Sequence, residues 1–187
     1  MITKREPTIY LYDNFKITLQ KNIDNIHWSA LREYGIGCKN YLEIGTNYGN
    51  SAYQVWSSLK PELMVLVDIF PEKKMISHIC RTLTNIDCMA KVYIYKCKSS
   101  YYFTYLNTNM FDLILVDGDH TTNSAKLDIE NAWKCLLPGG TIIFDDIDIK
   151  RLKEMVLCFV NSVNDVDNFI VHEEWKHGCI VIKKRKM

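Results

Sequence analysis

The sequence has almost no net charge, no long apolar run and no apolar run near its N-terminus. Its 23 Lys and Arg residues face 22 Asp and Glu residues, which leaves a formal net charge of +1. Because nucleic acids and anionic membrane surfaces attract a positive field, this balance argues against a general binder of either. No apolar stretch approaches the roughly 18 residues that a membrane-spanning helix needs. The N-terminus also lacks the apolar run of a secretory signal.

Paired cysteines are missing too. The seven cysteines are an odd number, and no two of them form a Cys-x-x-Cys pair. This spacing argues against a disulfide framework and a zinc site, and it is typical of reduced thiols. We therefore expect a cytoplasmic protein. The length of 187 residues, 48% of them hydrophobic, suits one domain with a sizeable core.

From Asn40 onward, short apolar runs alternate with segments of helical periodicity. Nearly continuous apolar runs separated by helices predict parallel strands that are buried on both faces. The predicted strands are 41–45, 63–68, 91–96, 111–117 and 141–146, followed by a hairpin of 169–175 and 179–184. The predicted helices are 50–59, 72–83, about 122–137 (ended by Pro138-Gly139-Gly140) and 149–163. The pattern predicts a doubly wound α/β fold with a mostly parallel seven-stranded sheet and a C-terminal antiparallel hairpin.

In such folds ligands bind beyond the carboxyl ends of the strands. The first strand ends in Glu43-Ile-Gly45-Thr46-Asn47-Tyr-Gly49, a glycine-bearing turn into a helix. The turn departs from the dinucleotide fingerprint G-x-G-x-x-G, since Asn47 replaces the middle glycine. Glu43 would repel a pyrophosphate and would suit a ligand with a cationic group. The alternative is a tight turn without a ligand.

Further acidic residues follow the other strands. Asp68 ends the second strand, where a carboxylate commonly accepts both hydroxyls of a ribose; the alternative is a solvated strand end. Asp117 ends the fourth strand, and Asp145 and Asp146 end the fifth. Three carboxylates at neighbouring strand ends indicate a hard cation such as Mg²⁺. The alternative is that they cap the following helices.

Asp117 opens the run Asp117-Gly118-Asp119-His120. Because a histidine side chain titrates near neutral pH, His120 is a candidate general base.

These motifs carry a family resemblance. The chain resembles the class I S-adenosylmethionine-dependent methyltransferases, and within them the small metal-dependent O-methyltransferases of the catechol and sugar type. The segment Leu42-Glu-Ile-Gly-Thr-Asn-Tyr-Gly-Asn-Ser-Ala52 matches their first motif. The run from Phe111 to His120 and the run from Leu137 to Ile147 match their fourth and fifth strand segments. The resemblance implies a Rossmann-like fold in one methyltransferase domain, with residues 1–38 as an N-terminal cap or helix and 39–187 as the cofactor-binding core.

The resemblance also implies a role for each matching residue. The site for the methionine end of the cofactor, with the turn beside it, would be formed by Glu43, Gly45, Thr46, Asn47, Gly49 and Asp117. Ser51 would bind the methionine carboxylate, Asp68 the ribose and Ser99 the adenine. The implied ligands of Mg²⁺, or of another divalent cation, are Asp117, Asp145 and Asp146. The general base would be Asp119 or His120.

One departure from the family pattern concerns adenine. The third strand of relatives ends in Gly-Asp-Ser, whereas this chain reads Cys97-Lys98-Ser99, so only the serine matches. The N-terminal segment matches no known motif. A helix around 23–34 would cap the acceptor pocket or pack on the sheet.

The expected reaction is methyl transfer to a hydroxyl of a small molecule with adjacent oxygens. A sugar diol, including that of a sugar nucleotide, is favoured over a catechol. The expected partners exclude nucleic acid and membrane and include a second copy of the chain. Two other hypotheses remain open: a nucleotide-dependent oxidoreductase on the same architecture, and an inactive cofactor-binding module.

Overall fold

The computed structural model describes residues 8–11, 28–70, 72–85, 88–106 and 108–186. Its strands are β1 (Thr8–Leu11), β2 (Asn40–Ile44), β3 (Leu63–Asp68), β4 (Lys91–Lys96), β5 (Phe111–Val116), β6 (Leu136–Asp145), β7 (Val166–His172) and β8 (Cys179–Lys184). Its helices are α1 (Trp28–Tyr34), α2 (Asn50–Leu59), α3 (Lys73–Asn85), α4 (Ser99–Tyr102), a 3₁₀ turn (Phe103–Tyr105), α5 (Thr122–Cys135) and α6 (Lys150–Ser162). The part of the predicted N-terminal helix before Trp28 lies outside the described residues.

The strands form a single sheet in the order β1-β4-β3-β2-β5-β6-β8-β7. Strands β2 to β6 are parallel, and β8 runs antiparallel between β6 and β7. The doubly wound fold with seven strands and a C-terminal antiparallel hairpin is therefore confirmed. An eighth strand, β1, pairs antiparallel with β4 at the opposite edge. The sequence analysis did not predict it.

The predicted boundary between the helix of about 122–137 and the fifth strand is wrong. Helix α5 ends at Cys135, and β6 begins at Leu136 and runs through Pro138-Gly139-Gly140. The buried ammonium of Lys184 donates to the carbonyls of Trp133 and Leu136 at 3.0 and 3.1 Å. The Lys184 ammonium thus supplies a hydrogen-bond donor to carbonyls at the end of α5. The helix can therefore end before it reaches Pro-Gly-Gly.

The C-terminal hairpin is also displaced from its predicted position. Strand β7 covers 166–172 instead of 169–175, which leaves a longer connection of residues 173–178. Packing fixes the position of this connection: the backbone amide of Asp148 donates to the carbonyl of His177 at 2.8 Å. The connection therefore lies beside the carboxyl end of β6.

Two apolar cores cover the two faces of the sheet, because side chains alternate along each strand. One core joins Leu42, Ile44 and Val116 to α5 and α6. The other joins Tyr41, Leu66 and Leu115 to α1, α2 and α3. No helix in the described part of the chain has the length and apolar character needed to span a bilayer.

Candidate active site

Four carboxylates stand at the carboxyl edge of the sheet on one face. The strand register pairs Ile44 with Val67 and Val116, and pairs Val116 with Phe144. The residues that follow these partners, Asp68, Asp117 and Asp145, therefore lie at one level on β3, β5 and β6. Side-chain alternation turns all three toward the face that α1, α2 and α3 cover. Glu43, on the central strand β2, points to the same face and lies two residues before that level.

Gly45 occupies the position between Asp68 and Asp117 at that level. It adopts φ +89°, and a Cβ at this position would lie 1.7 Å from the carbonyl oxygen of Asp117. A side chain is therefore excluded by the neighbouring backbone and disfavoured by the left-handed conformation. The backbone of Asp117 therefore lies directly against Gly45, and Gly45 itself lines the cleft described below.

Glu43 is fully buried in the sheet. Its Oε2 accepts a hydrogen bond of 2.8 Å from the hydroxyl of Tyr41, whereas its Oε1 has no partner among the described residues. Burial raises the pKa of Glu43 to about 8. A carboxylate in this state gains from a nearby cation, which would replace the lost hydration.

The turn after β2 presents polar groups to a cleft of about 370 Å³, which Leu31, Leu115, Ile143 and His177 also line. Thr46 is buried, and its Oγ1 has no partner among the described residues. Gly49 begins α2 with φ +78° and no side-chain cap. The first amides of α2, next to Ser51, therefore provide an anion-binding helix end.

Asp68 holds the neighbouring loops in place. Its Oδ2 accepts from the amide of Asn47 at 2.7 Å, and its Oδ1 accepts from the amide of Phe70 at 2.9 Å. Each oxygen keeps a lone pair for a further donor. Asp68 therefore ties the β2–α2 turn to the β3 end and retains acceptor capacity.

The carboxylates on β5 and β6 repel one another. Burial, followed by the charges of Asp145, Asp146 and Glu43, raises the pKa of Asp117 to about 9. Burial and the charge of Asp146 raise the pKa of Asp145 to about 7. Both shifts are in the direction that a bound cation would reverse.

His120 faces this acidic cluster. Its Nε2 lies 2.8 Å from Oδ2 of Asp146 and 3.8 Å from Oδ1 of Asp117. Ligand atoms of Asp117, His120 and Asp146 lie within 4.8 Å of one another, as do those of Asp146, Asp148 and His177. The metal ligands predicted from the sequence are Asp117, Asp145 and Asp146. Asp145 is in neither of these two groups, and its role as a ligand stays a prediction.

Asp119 is directed elsewhere. Its carboxylate accepts from the amide and the hydroxyl of Thr121 at 3.1 and 3.0 Å. A hydrogen bond from Ser124, followed by these two, lowers the pKa of Asp119. Asp119 thus holds Thr121, the N-cap residue of α5, in place.

Ser99, which the sequence analysis placed at the adenine, begins α4 and donates a hydrogen bond to Asp128 of α5. Burial raises the pKa of Asp128 to about 6. The bond joins the β4–α4 connection to α5, and the serine oxygen can still accept from a ligand.

Comparisons with known proteins decide the family. A family model described as a methyltransferase domain matches residues 42–147, which is more than half of the chain. The chain belongs to this methyltransferase family. The resemblance to class I S-adenosylmethionine-dependent methyltransferases is thereby confirmed. No curated protein matches the sequence.

Solved methyltransferase structures share the fold. The O-methyltransferase from Bacillus cereus is 16% identical with a TM-score of 0.66, over 84% of this chain and 78% of that chain. The O-methyltransferase TomG from Streptomyces achromogenes is also 16% identical, with a TM-score of 0.67 over 84% and 77%. The N-methyltransferase NodS from Bradyrhizobium japonicum is 16% identical with a TM-score of 0.60 over 86% and 93%. The same fold therefore serves acceptors of different chemistry.

Side chains outside the predicted site also line the cleft. Leu31 reaches the cleft from α1, and His177 reaches it from the β7–β8 connection. Both reach it through long-range packing, which no local sequence pattern reports. Ile69, an apolar residue directly after the strand-end acid Asp68, is 57% exposed.

Proposed function

We propose that this methyltransferase transfers a methyl group from S-adenosylmethionine to a hydroxyl of a small molecule with adjacent oxygens, with the help of a divalent cation. The observation that carries the proposal is the row of carboxylates from Asp68 to Asp145, with the buried Glu43 two residues before Gly45 on the same face. Such an edge repels phosphates and attracts cations. It therefore favours a sulfonium cofactor over a dinucleotide, and a methyltransferase over an oxidoreductase.

The residues fit S-adenosylmethionine. The unpartnered oxygens of Glu43 and Thr46 would face its cationic end, and the uncapped start of α2 at Ser51 would receive its carboxylate. Asp68 would accept the ribose hydroxyls. Solved relatives support this cofactor: the Bacillus cereus enzyme is in complex with S-adenosylhomocysteine, and TomG is in complex with S-adenosylmethionine.

The adenine would lie on the exposed side chain of Ile69, beside Ser99. An apolar side chain at the rim of a polar cleft offers a contact surface for a flat ring. Ser99 would accept from the adenine while it donates to Asp128.

The donor set also fits a hard cation. We propose Asp117, Asp145 and Asp146 as its ligands, because carboxylate oxygens are the donors that Mg²⁺ and similar divalent cations prefer. A bound cation lowers the pKa of a coordinated hydroxyl. The raised pKa values of Asp117 and Asp145 support this assignment.

His120 is the better candidate for the general base. Its Nε2 lies beside the proposed cation ligands, whereas the carboxylate of Asp119 is occupied by Thr121 and Ser124. His120 would accept the proton of the acceptor hydroxyl. Histidine is the side chain that serves most often as a general base.

The acceptor we favour is a sugar diol, including that of a sugar nucleotide, over a catechol. The neutral overall charge supports a small molecule as partner, with neither nucleic acid nor membrane, and a second copy of the chain remains a proposed partner. All seven cysteines are free, which supports a reducing, cytoplasmic location.

The test is incubation with S-adenosylmethionine and Mg²⁺ over a panel of sugar diols, sugar nucleotides and catechols, with release of S-adenosylhomocysteine as the readout. The proposal expects release with at least one vicinal diol and none with the matching deoxy compound. Binding of S-adenosylmethionine without release over the whole panel would indicate an inactive binding module. Release that does not depend on the adjacent hydroxyl would contradict chelation of the acceptor.

A further inference from the structure

The hydrogen bond between Tyr41 and Glu43 lies on the helix-covered face of the sheet, away from solvent. Both residues belong to β2 and point to the same face, because they are two positions apart. Both are fully buried, and the Tyr41 hydroxyl lies 2.8 Å from Oε2 of Glu43. A buried tyrosine hydroxyl normally needs a hydrogen-bond partner, and here the partner is a carboxylate.

The surroundings of Glu43 are acidic. The charge of Asp68 on β3 raises the pKa of Glu43 further, after burial. The charge of Glu43 in turn raises the pKa of Asp117 on β5. On β2 itself, the Tyr41 hydroxyl is the group that lowers the pKa of Glu43. Tyr41 therefore favours the charged form of Glu43 against burial and against its neighbours.

The hydroxyl also distinguishes the two oxygens of Glu43. Oε2 accepts a hydrogen bond from the Tyr41 hydroxyl, whereas Oε1 is buried without a partner among the described residues. Two positions beyond Glu43, the turn at Gly45 and Thr46 lines the cleft. One oxygen of Glu43 is therefore bonded within the protein, and the other remains for a ligand.

We propose that Tyr41 is a positioning residue for the cofactor: its hydroxyl holds Oε2 of Glu43 and so reserves Oε1, with its negative charge, for the cationic end of S-adenosylmethionine. This inference rests on the proposed cofactor site. Tyr41 itself does not touch the cofactor and acts through Glu43.

The test is a double-mutant cycle with S-adenosylmethionine affinity as the readout, measured by calorimetry between about pH 6 and 9. The variants are Tyr41→Phe, Glu43→Gln and the double variant. Tyr34→Phe is the matched control, because it removes a tyrosine hydroxyl bonded to His172 at 2.9 Å, outside the proposed cofactor contacts. We expect Tyr41→Phe to weaken binding about tenfold near pH 7, which corresponds to a shift of about one pKa unit in Glu43. The loss should shrink as the pH rises toward 9, because Glu43 then ionises without help.

In the Glu43→Gln background, Tyr41→Phe should change the affinity by less than about twofold, since no charge remains to be stabilised. An equal loss in both backgrounds, or a loss that does not depend on pH, would overturn the inference. If Tyr41→Phe does not fold, the affinity of Glu43→Gln tests the inference alone. This variant removes the charge of Glu43, while its amide oxygen can still accept from Tyr41. Unchanged affinity of Glu43→Gln would then overturn the inference. If the wild-type protein does not bind S-adenosylmethionine at all, the proposed function fails instead.

Discussion

Nε2 of His120 lies 2.8 Å from Oδ2 of Asp146, at the edge of the sheet where the carboxylates of Asp117 and Asp145 have raised pKa values. The imidazole comes from the β5–α5 connection, and the carboxylate comes from the end of β6. The guanidinium of Arg151 donates to the carbonyl of His120 at 3.3 Å and links this connection to α6. The base candidate is thus positioned by backbone and side-chain contacts from three different elements.

Replacement of His120 tests the base. We expect His120→Ala to lower turnover by about 10²–10⁴-fold with little loss of S-adenosylmethionine affinity, because a general base acts on the acceptor. Asp119→Asn should retain most of the turnover and lower the melting temperature only slightly, because its carboxylate bonds Thr121 beside α5. The measurements are initial rates and thermal melting. A large loss of rate in Asp119→Asn with normal rates in His120→Ala would reverse the assignment.

Replacement of Asp68 tests the ribose contact. Asp68→Ala should weaken S-adenosylmethionine binding by at least about tenfold, because a hydrogen bond to a charged acceptor contributes about 1.5–3 kcal/mol. Asp112→Ala is a matched control at the opposite edge of the sheet, where this aspartate also accepts from two backbone amides, those of Lys39 and Asn40. Equal affinities of the two variants by calorimetry would show that Asp68 has only a structural role.

The raised pKa of Asp117 predicts a dependence of stability on pH. Between the ordinary carboxyl pKa of about 4 and the folded value of about 9, the folded protein binds more protons than the unfolded chain. The free energy of unfolding therefore falls as the pH rises through this window. Asp117→Asn should raise the melting temperature of the ligand-free protein at pH 8 and flatten its fall between pH 5 and 9.

Mg²⁺ should stabilise the wild-type protein by mass action, and more at pH 8 than at pH 6, because it binds the charged carboxylates. The exposed Asp167 of β7 serves as the control, and Asp167→Asn should leave the pH profile and the Mg²⁺ effect unchanged. A wild-type melting temperature that rises with pH between 5 and 8, or that does not respond to Mg²⁺, would contradict the cation site.

Lys184 gives a prediction for stability alone. Its buried ammonium bonds two carbonyls at the end of α5 and lies 3.8 Å from Asp165. Lys184→Met should lower the free energy of unfolding by about 2–4 kcal/mol, because the carbonyls lose a charged donor. Lys183→Met, on the same strand, should change it by less than about 0.5 kcal/mol. S-adenosylmethionine affinity should be the same in both, since these residues lie at the other edge of the sheet from the cleft.

The site residues that could be predicted from the sequence are those at the ends of strands. Asp68, Asp117 and Asp145 directly follow apolar runs, and the alternation of side chains turns them to one face, so local pattern and topology are sufficient. The turn alone indicates the role of Gly45, but the closeness of the Asp117 backbone, which leaves no room for a Cβ, depends on the pairing of β2 with β5.

Other features depend on contacts that are distant in sequence. Strand β6 extends through Pro-Gly-Gly because Lys184 of β8 satisfies the end of α5, and no local signal reports this contact. His177 reaches the cleft because the β7–β8 connection packs on the end of β6. Strand β1 pairs with β4 across more than 80 positions of sequence, between Thr8 and Lys96. Such pairing is invisible to a short window.

The most direct test of the central claim, that the acidic edge holds a sulfonium cofactor, is calorimetric titration of the wild-type protein with S-adenosylmethionine and, separately, with NAD⁺. The account predicts binding of one S-adenosylmethionine per chain and no heat of binding with NAD⁺. Binding of NAD⁺, or the absence of binding with S-adenosylmethionine in the presence and absence of Mg²⁺, would contradict it.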